Sequence, residues 1–216
     1  MMDDSKKRAR KIIRILDKSY PDAPATYLNH RNAFEMLIAT ILSANTADAC
    51  INQITPALFS KYPDAKTMAN AEIEDLIELI RQCGTYNKKS EFIRDSARII
   101  AERHSGEVPK TMDELIEFPG VSRKTANVVL AVVFGINEGV VVDTHVMRVS
   151  QRLELTKEKK NRTRAEKDLM ETLPRNQWYE YARLIGAHGR RTCSSRKPRC
   201  EGCSINALCP TAGQWG

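Results

Sequence analysis

Four cysteines crowd the end of the chain, Cys193, Cys200, Cys203 and Cys209, in the spacing C-x6-C-x2-C-x5-C. Four soft sulfur donors in one short segment can complete a tetrahedral ligand set, and on spacing alone zinc and an iron–sulfur core fit equally well. The same segment is cationic. Arg190, Arg191, Arg196, Lys197 and Arg199 stand against a single acid, Glu201. An inorganic site wrapped in positive charge points to an anionic partner.

A second candidate lies upstream, in Phe118-Pro119-Gly120-Val121-Ser122-Arg123-Lys124-Thr125-Ala126. Gly120 permits a tight turn and leaves backbone N–H groups unscreened by a side chain. The next helix starts there, and its positive end favours an anion, so a phosphate can be held without any reading of sequence. A plain helix–helix turn is the competing reading of this string. Lys124 sits in the first turn of that helix beside Arg123. The positive helix end is a poor place for an ammonium, which works toward the free amine that a nucleophilic lysine needs. Asp143 follows three valines and precedes Thr144-His145-Val146. It reads as a helix N-cap. A carboxylate so held suits the stabilisation of a cationic sugar, or the orienting of a nucleophile, better than it suits general acid work.

These side chains have to be positioned by helices, because the periodicity is helical almost throughout. Phe34, Leu37, Ile38, Ile41 and Leu42 recur at i, i+3, i+4, i+7 and i+8. Ile12, Ile15 and Leu16 mark a first helix. Ile73, Leu76, Ile77 and Ile80 mark another over 71–82, and a further one runs from Lys88 to the His104-Ser105-Gly106 turn. Thr111 to Glu114 reads as a capping box opening a short helix that ends at Pro119-Gly120. Helices follow over 122–134, 143–153, 164–173 and 177–189. The valine run before Asp143 is too short and isolated for a sheet and reads as an extended linker. The last residues are expected to fray. The pattern predicts an all-α protein of about ten helices.

Bulk properties narrow the partner. The formal net charge is +7. Four thiolates around a 4Fe–4S core would lower it only to about +5. Nucleic acid is the common partner of such a chain. No apolar run is long enough to cross a membrane. The N-terminus, MMDDSKKRARKIIRIL, lacks the apolar region and cleavage site of a secretory signal. A cytoplasmic setting follows as the expectation, and with it metal ligation by the clustered cysteines in preference to disulfides. Cys50 and Cys83 lie far from the quartet and read as buried free thiols.

Taken in order, FPGVSRKTANVVL, VVDTH and C-x6-C-x2-C-x5-C resemble the endonuclease III family of DNA base-excision glycosylases, helix-hairpin-helix proteins that carry a 4Fe–4S cluster. LSANTAD near residue 45 and GTYNKK near residue 85 extend the resemblance over nearly the whole chain. It implies two all-α domains flanking a DNA-binding groove. A six-helix barrel domain would span 24–135, with its helix-hairpin-helix at about 112–132. Residues 1–23 together with 136–216 would form the cluster domain. The resemblance makes Lys124 the nucleophile and Asp143 the catalytic carboxylate. Cys193, Cys200, Cys203 and Cys209 become ligands of a 4Fe–4S cluster. It implies a bifunctional glycosylase and abasic-site lyase that excises oxidised pyrimidines from double-stranded DNA, working as a monomer in a prokaryotic, nucleoid-associated setting.

DNA contacts are expected from Gly120, Val121, Ser122, Arg123, Asn45, Thr85, Arg196, Lys197 and Arg199. Three of these depart from the family pattern. Ser122 stands where the hairpin often has glycine, Asn45 where a glutamine often fills the gap left by a flipped base, and Thr85 where a leucine commonly wedges the stack. A shorter, more polar wedge should hold an opened duplex less well. Two other functions bear comparison: a monofunctional mismatch glycosylase in which Asp143 activates water, and a non-catalytic iron–sulfur protein that binds DNA or senses redox state. Strand cleavage through Lys124 separates the leading reading from both.

Overall fold

A computed structural model of the chain describes residues 2–214. The expected fraying of the last residues falls on positions 215 and 216, outside the described residues. In chain order the α-helices are α1 (Met2–Ser19), α2 (Ala33–Leu42), α3 (Asp48–Lys61), α4 (Ala65–Ala69), α5 (Ile73–Ile80), α6 (Tyr86–Arg103), α7 (Met112–Ile116), α8 (Arg123–Phe134), α9 (Thr144–Arg152), α10 (Arg162–Thr172) and α11 (Trp178–Arg191). Short 3-10 turns lie at Arg175–Gln177 and Asn206–Leu208. No strand occurs among the described residues, so the all-α expectation holds, and the valine run before Asp143 is extended linker. The chain divides into two compact units, Thr26–Glu138 and Met1–Ala25 with Gly139–Gly216.

In the unit over 26–138, α2 is the central rod. Every residue from Phe34 to Leu42 is buried, which suits a helix apolar on all sides. It packs against α3, α6 and α8. Asn32 caps it, accepting from the Glu35 N–H at 2.9 Å. Glu35 is itself buried. It accepts from the Arg31 backbone N–H at 2.7 Å and from Arg31 Nε at 2.8 Å, so its charge goes below the surface with partners. The sequence pattern does not announce α3, which carries Pro56 inside it. Ile51, Ile54, Leu58 and Phe59 nevertheless bury one side of it in the core.

The other unit joins the first helix to the last three. Ala9, Ile12, Ile13 and Leu16 of α1 pack into one core with Val146 and Val149 of α9, Leu169 of α10 and Leu184 and Ile185 of α11. Tyr181 lies at its centre, fully buried, its hydroxyl 2.7 Å from Ser150 Oγ. Burial pushes the Tyr181 phenol well above the usual tyrosine range, and the Ser150 hydrogen bond only partly offsets this. Its folded pKa is therefore raised. The unfolded chain loses this proton near pH ~10 while the folded chain keeps it, so stability falls as pH rises above that point. Urea midpoints measured across that range should fall more steeply for the wild type than for Tyr181→Phe.

Candidate functional site

The hairpin that carries Lys124 is built around one glycine. Gly120 has φ 77°, the left-handed region, and a Cβ there would stand 2.6 Å from Cδ2 of Phe92. Backbone and packing both exclude a side chain. Val121 tucks its side chain into the core and donates its N–H to the Phe118 carbonyl at 3.0 Å, which closes the turn. Ser122 then caps α8, its hydroxyl accepting from the Thr125 N–H at 3.3 Å. Arg123 and Lys124 are both exposed. The Arg123 guanidinium is turned back onto the Glu138 carbonyl at 2.9 Å, whereas the lysine projects from the first turn of the helix.

Two further candidates in this unit come together. Asn45 and Thr85 are exposed, and both have left-handed backbones, with φ 56° and 58°. Asparagine tolerates that region; for threonine, branched at Cβ, it is an outlier. The loops carrying them touch. A Cβ built on Gly84 would lie 3.8 Å from the Asn45 carbonyl oxygen and 3.9 Å from Thr46 Oγ1. Thr85 precedes α6 with no side-chain cap, its hydroxyl spent on the Gly84 carbonyl at 2.6 Å.

Asp143 belongs to the other unit. It caps α9 as the sequence predicts, accepting from the Val146 N–H at 2.7 Å through Oδ1. Its second oxygen faces Nη2 of Arg190 at 3.6 Å, from the last turn of α11. The carboxylate is thus held on one side by a backbone donor and on the other by a cation. α9 and α11 pack together at Gly189, where a Cβ would meet Cβ of His145 at 2.9 Å. Burial pulls the His145 imidazole below its ordinary range. Gly189→Ala has no room without moving α9, and should cost about 1–3 kcal/mol. Because α9 begins at Asp143, excision of a damaged base should fall with the denaturation midpoint, and both can be measured on the one variant.

The cysteine segment follows α11 directly. Cys193, Cys200, Cys203 and Cys209 are all half-buried and all line one cavity, which Arg152, His188, Ile205 and Thr211 help to close. Among the described residues no three His, Cys, Asp or Glu side chains gather closely enough to hold a single metal ion. Arg152, buried near the end of α9, directs Nη1 to Cys193 Sγ at 3.1 Å and to the Ser194 carbonyl at 2.7 Å, and Nη2 to the Ser195 carbonyl at 2.9 Å. Arg148, one turn earlier, donates to the carbonyls of Gly189 at 2.8 Å and Cys193 at 3.0 Å. His188 is buried against Tyr20, with Nδ1 2.8 Å from its hydroxyl, and burial pushes the imidazole down to about 4. Arg196, Lys197 and Arg199 are exposed around the rim of the loop, and the Arg199 guanidinium also bonds the Arg191 carbonyl. Of the two remote thiols, Cys83 is buried as expected, whereas Cys50 is only half-buried and sits 3.6 Å from the Gln82 carbonyl.

Comparison with known proteins shows the family. The family model described as HhH-GPD superfamily base excision DNA repair protein matches residues 38–175. The chain is 46% identical to endonuclease III of Synechocystis sp., over 98% of its own length and 95% of the relative's. It belongs to the endonuclease III family of the HhH-GPD superfamily. Endonuclease III of Escherichia coli K12 is 39% identical over 86% of this chain and 87% of its own. A solved structure of a trapped endonuclease III–DNA covalent intermediate superposes with a TM-score of 0.89 at 37% identity, covering 97% of each chain. A thermostable thymine-DNA glycosylase, 20% identical with a TM-score of 0.83, shares the fold.

In this endonuclease III family member, Arg148 and Arg152 look from the sequence like ordinary surface cations spaced along α9. Arg190 stands out only as part of a basic run. The signal available was positional: a helix with Asp143 at its head and two arginines on the face toward the cysteine segment.

Proposed function

We propose that this chain is a DNA glycosylase and abasic-site lyase that removes oxidised pyrimidines in base-excision repair. The observation that carries the reading is the likeness, over 97% of the chain, to an endonuclease III trapped as a covalent intermediate with DNA. It is joined to an exposed lysine on the first turn of α8. The damaged nucleotide leaves the base stack, because the reacting carbon is out of reach inside a duplex. The Lys124 amine attacks C1′, the N-glycosidic bond breaks, and the base departs with its bonding pair and takes up a proton. The new secondary amine gives up one proton, the C1′–O4′ bond breaks as O4′ takes up a proton, and a protonated Schiff base is left at C1′. Loss of a 2′ proton then drives out the 3′ phosphate and the strand is cut. Asp143 stabilises positive charge as it develops on the sugar. Its carboxylate is kept oriented for that by the Val146 N–H and Arg190.

The rest of the reading follows the family. Gly120, Val121, Ser122 and Arg123 present the hairpin backbone to a phosphate. Ser122, in place of glycine, supplies the N-cap of α8 without blocking the turn. Asn45 and Thr85 contact the opened duplex. Residues 24–135 form the barrel domain and 1–23 with 136–216 the cluster domain. Cys193, Cys200, Cys203 and Cys209 would hold a 4Fe–4S cluster. Four soft donors on one cavity suit the group, and when bound it supplies cross-linking of the loop and no reaction step. The family reading makes it a nucleoid-associated monomer, and its bacterial relatives support a prokaryotic, cytoplasmic setting. No helix among the described residues is long and apolar enough to cross a membrane.

The test is a duplex bearing one oxidised pyrimidine, assayed for base release and strand cleavage, with borohydride present in a parallel reaction. Release, cleavage and a trapped adduct at the same site are expected. Release without cleavage would make the enzyme monofunctional, and binding with neither would leave a non-catalytic protein. Changing Arg196, Lys197 and Arg199 together to glutamine should weaken binding to any duplex and flatten its salt dependence by about two to three charges. An unchanged salt slope would remove the loop from the interface.

A further inference from the structure

The lysine that follows Lys88 is not a surface residue. Lys89 is 3% exposed, the most deeply buried cation in its unit, and no carboxylate pairs with it among the described residues. Its Nζ donates to Thr46 Oγ1 at 2.8 Å. The charged or titratable neighbours are the thiols of Cys83 and Cys50. Sinking an ammonium without a counter-ion is costly. Such a group persists where it holds something in place, and what Lys89 holds is plain from its two ends. Its backbone N–H is bonded to the Thr85 carbonyl at 3.1 Å, and its side chain reaches across to the residue after Asn45.

We propose that Lys89 is a positioning residue for base opening: it ties loop 43–47 to loop 83–85, so that Asn45 and Thr85 meet the duplex as one rigid element. Both residues are exposed, and both have left-handed backbones. Strained residues keep their geometry only where the surroundings over-determine it. Asn45 and Thr85 are shorter than the glutamine and leucine commonly found there, so reach is traded away. A short probe that cannot reach by flexing has to be placed accurately, and misplacement by about 1 Å can cost a hundredfold in rate. The inference rests on the reading of Asn45 and Thr85 as duplex contacts.

The experiment uses the full-length protein and three sets of variants. Lys89→Met keeps the length and removes the charge and the donor. Thr46→Val keeps the shape and removes the acceptor. Asn45→Ala and Thr85→Ala test the underlying reading. Single-turnover excision from a duplex containing an oxidised pyrimidine is compared with borohydride trapping on a single-stranded abasic site, which needs no base opening. Lys89→Met should slow duplex excision by about tenfold or more while trapping on the single strand changes less than about twofold. Thr46→Val should reproduce part of this split. The double variant should be no worse than Lys89→Met, as for two groups of one contact. A 2-aminopurine placed beside the lesion should show slower opening in both. Equal losses on both substrates would reduce Lys89 to a structural lysine, and fully additive losses would break its link to Thr46. Either result overturns the proposal. If Asn45→Ala and Thr85→Ala leave duplex excision unchanged, the duplex-contact reading fails and takes this inference with it. If they slow excision and Lys89→Met does not, only the inference fails. Should Lys89→Met not fold, the Thr46→Val split alone decides.

Discussion

Lys124→Ala is expected to yield no borohydride-trapped adduct and to lose strand cleavage by about a thousandfold or more, since the amine itself forms the bond to C1′. The variant should fold as the wild type does. Lys124 is exposed on the first turn of α8, where the cap is made by Ser122 and Thr125, and alanine is the better helix former. A melting temperature within a degree or so of wild type would therefore accompany the loss of chemistry. Electrostatic attraction for phosphate is the competing reason for a lysine in this place, and Lys124→Arg separates the two. Arginine keeps the charge but its guanidinium is never deprotonated at ordinary pH, so it cannot serve as the nucleophile. Duplex binding should survive in Lys124→Arg while trapping is lost. Trapping that persisted in either variant would transfer the covalent step to another amine. Asp143→Asn forms a useful contrast. The amide oxygen can still accept from the Val146 N–H, so the head of α9 stays capped, but the charge that faces Arg190 is gone. Base release should slow more than cleavage of a preformed abasic site, because release is the step in which the sugar becomes cationic.

Much of this arrangement was written in local patterns. Ser122 before α8 and Asp143 before α9 are side-chain caps, and a cap is a three-residue event that a sequence displays openly. The central helix α2 shows in its apolar run for the same reason. What stayed hidden depends on residues far apart in the chain. α3 was obscured by Pro56 and by an apolar pattern too weak to mark a face. Gly189 looks like a helix glycine of no account until His145 is found where its side chain would go. Lys89 stands in a run, Asn87-Lys88-Lys89, that reads as solvated surface, and only the fold turns one lysine outward over Phe92 and the next inward to Thr46. Left-handed backbone at Asn45 and Thr85 carries no sequence mark, since neither is glycine. The motifs thus declare the candidate reacting groups, while the contacts around them are declared only by the tertiary fold.

Removal of the inorganic core should undo the cysteine segment while leaving the rest of its unit folded. After α11 the chain has one short 3-10 turn, Asn206–Leu208, and Ile205 is its one deeply buried apolar side chain among the described residues. Ordering each residue costs about 1–2 kcal/mol of backbone entropy. Burying an isoleucine returns about 1.5–3 kcal/mol, so packing alone falls far short of fixing this stretch. In the proposed reading, four bonds from sulfur to a shared core would supply the difference. Arg152 and Arg148 then dock the closed loop on α9 through Cys193, Ser194 and Ser195. Cys203→Ser, or chelation of iron from the wild type, should remove the visible absorption of the core and open residues 194–208 to proteolysis. Duplex affinity should fall by about tenfold or more as Arg196, Lys197 and Arg199 lose their fixed positions. Arg152→Met should retain less iron than wild type, because the donor to Cys193 Sγ is gone and the contacts to the Ser194 and Ser195 carbonyls go with it. The measurement that decides is limited proteolysis beside iron content. Iron-free protein that keeps the wild-type cleavage pattern and duplex affinity would show that the loop holds itself, and the quartet would then need another purpose.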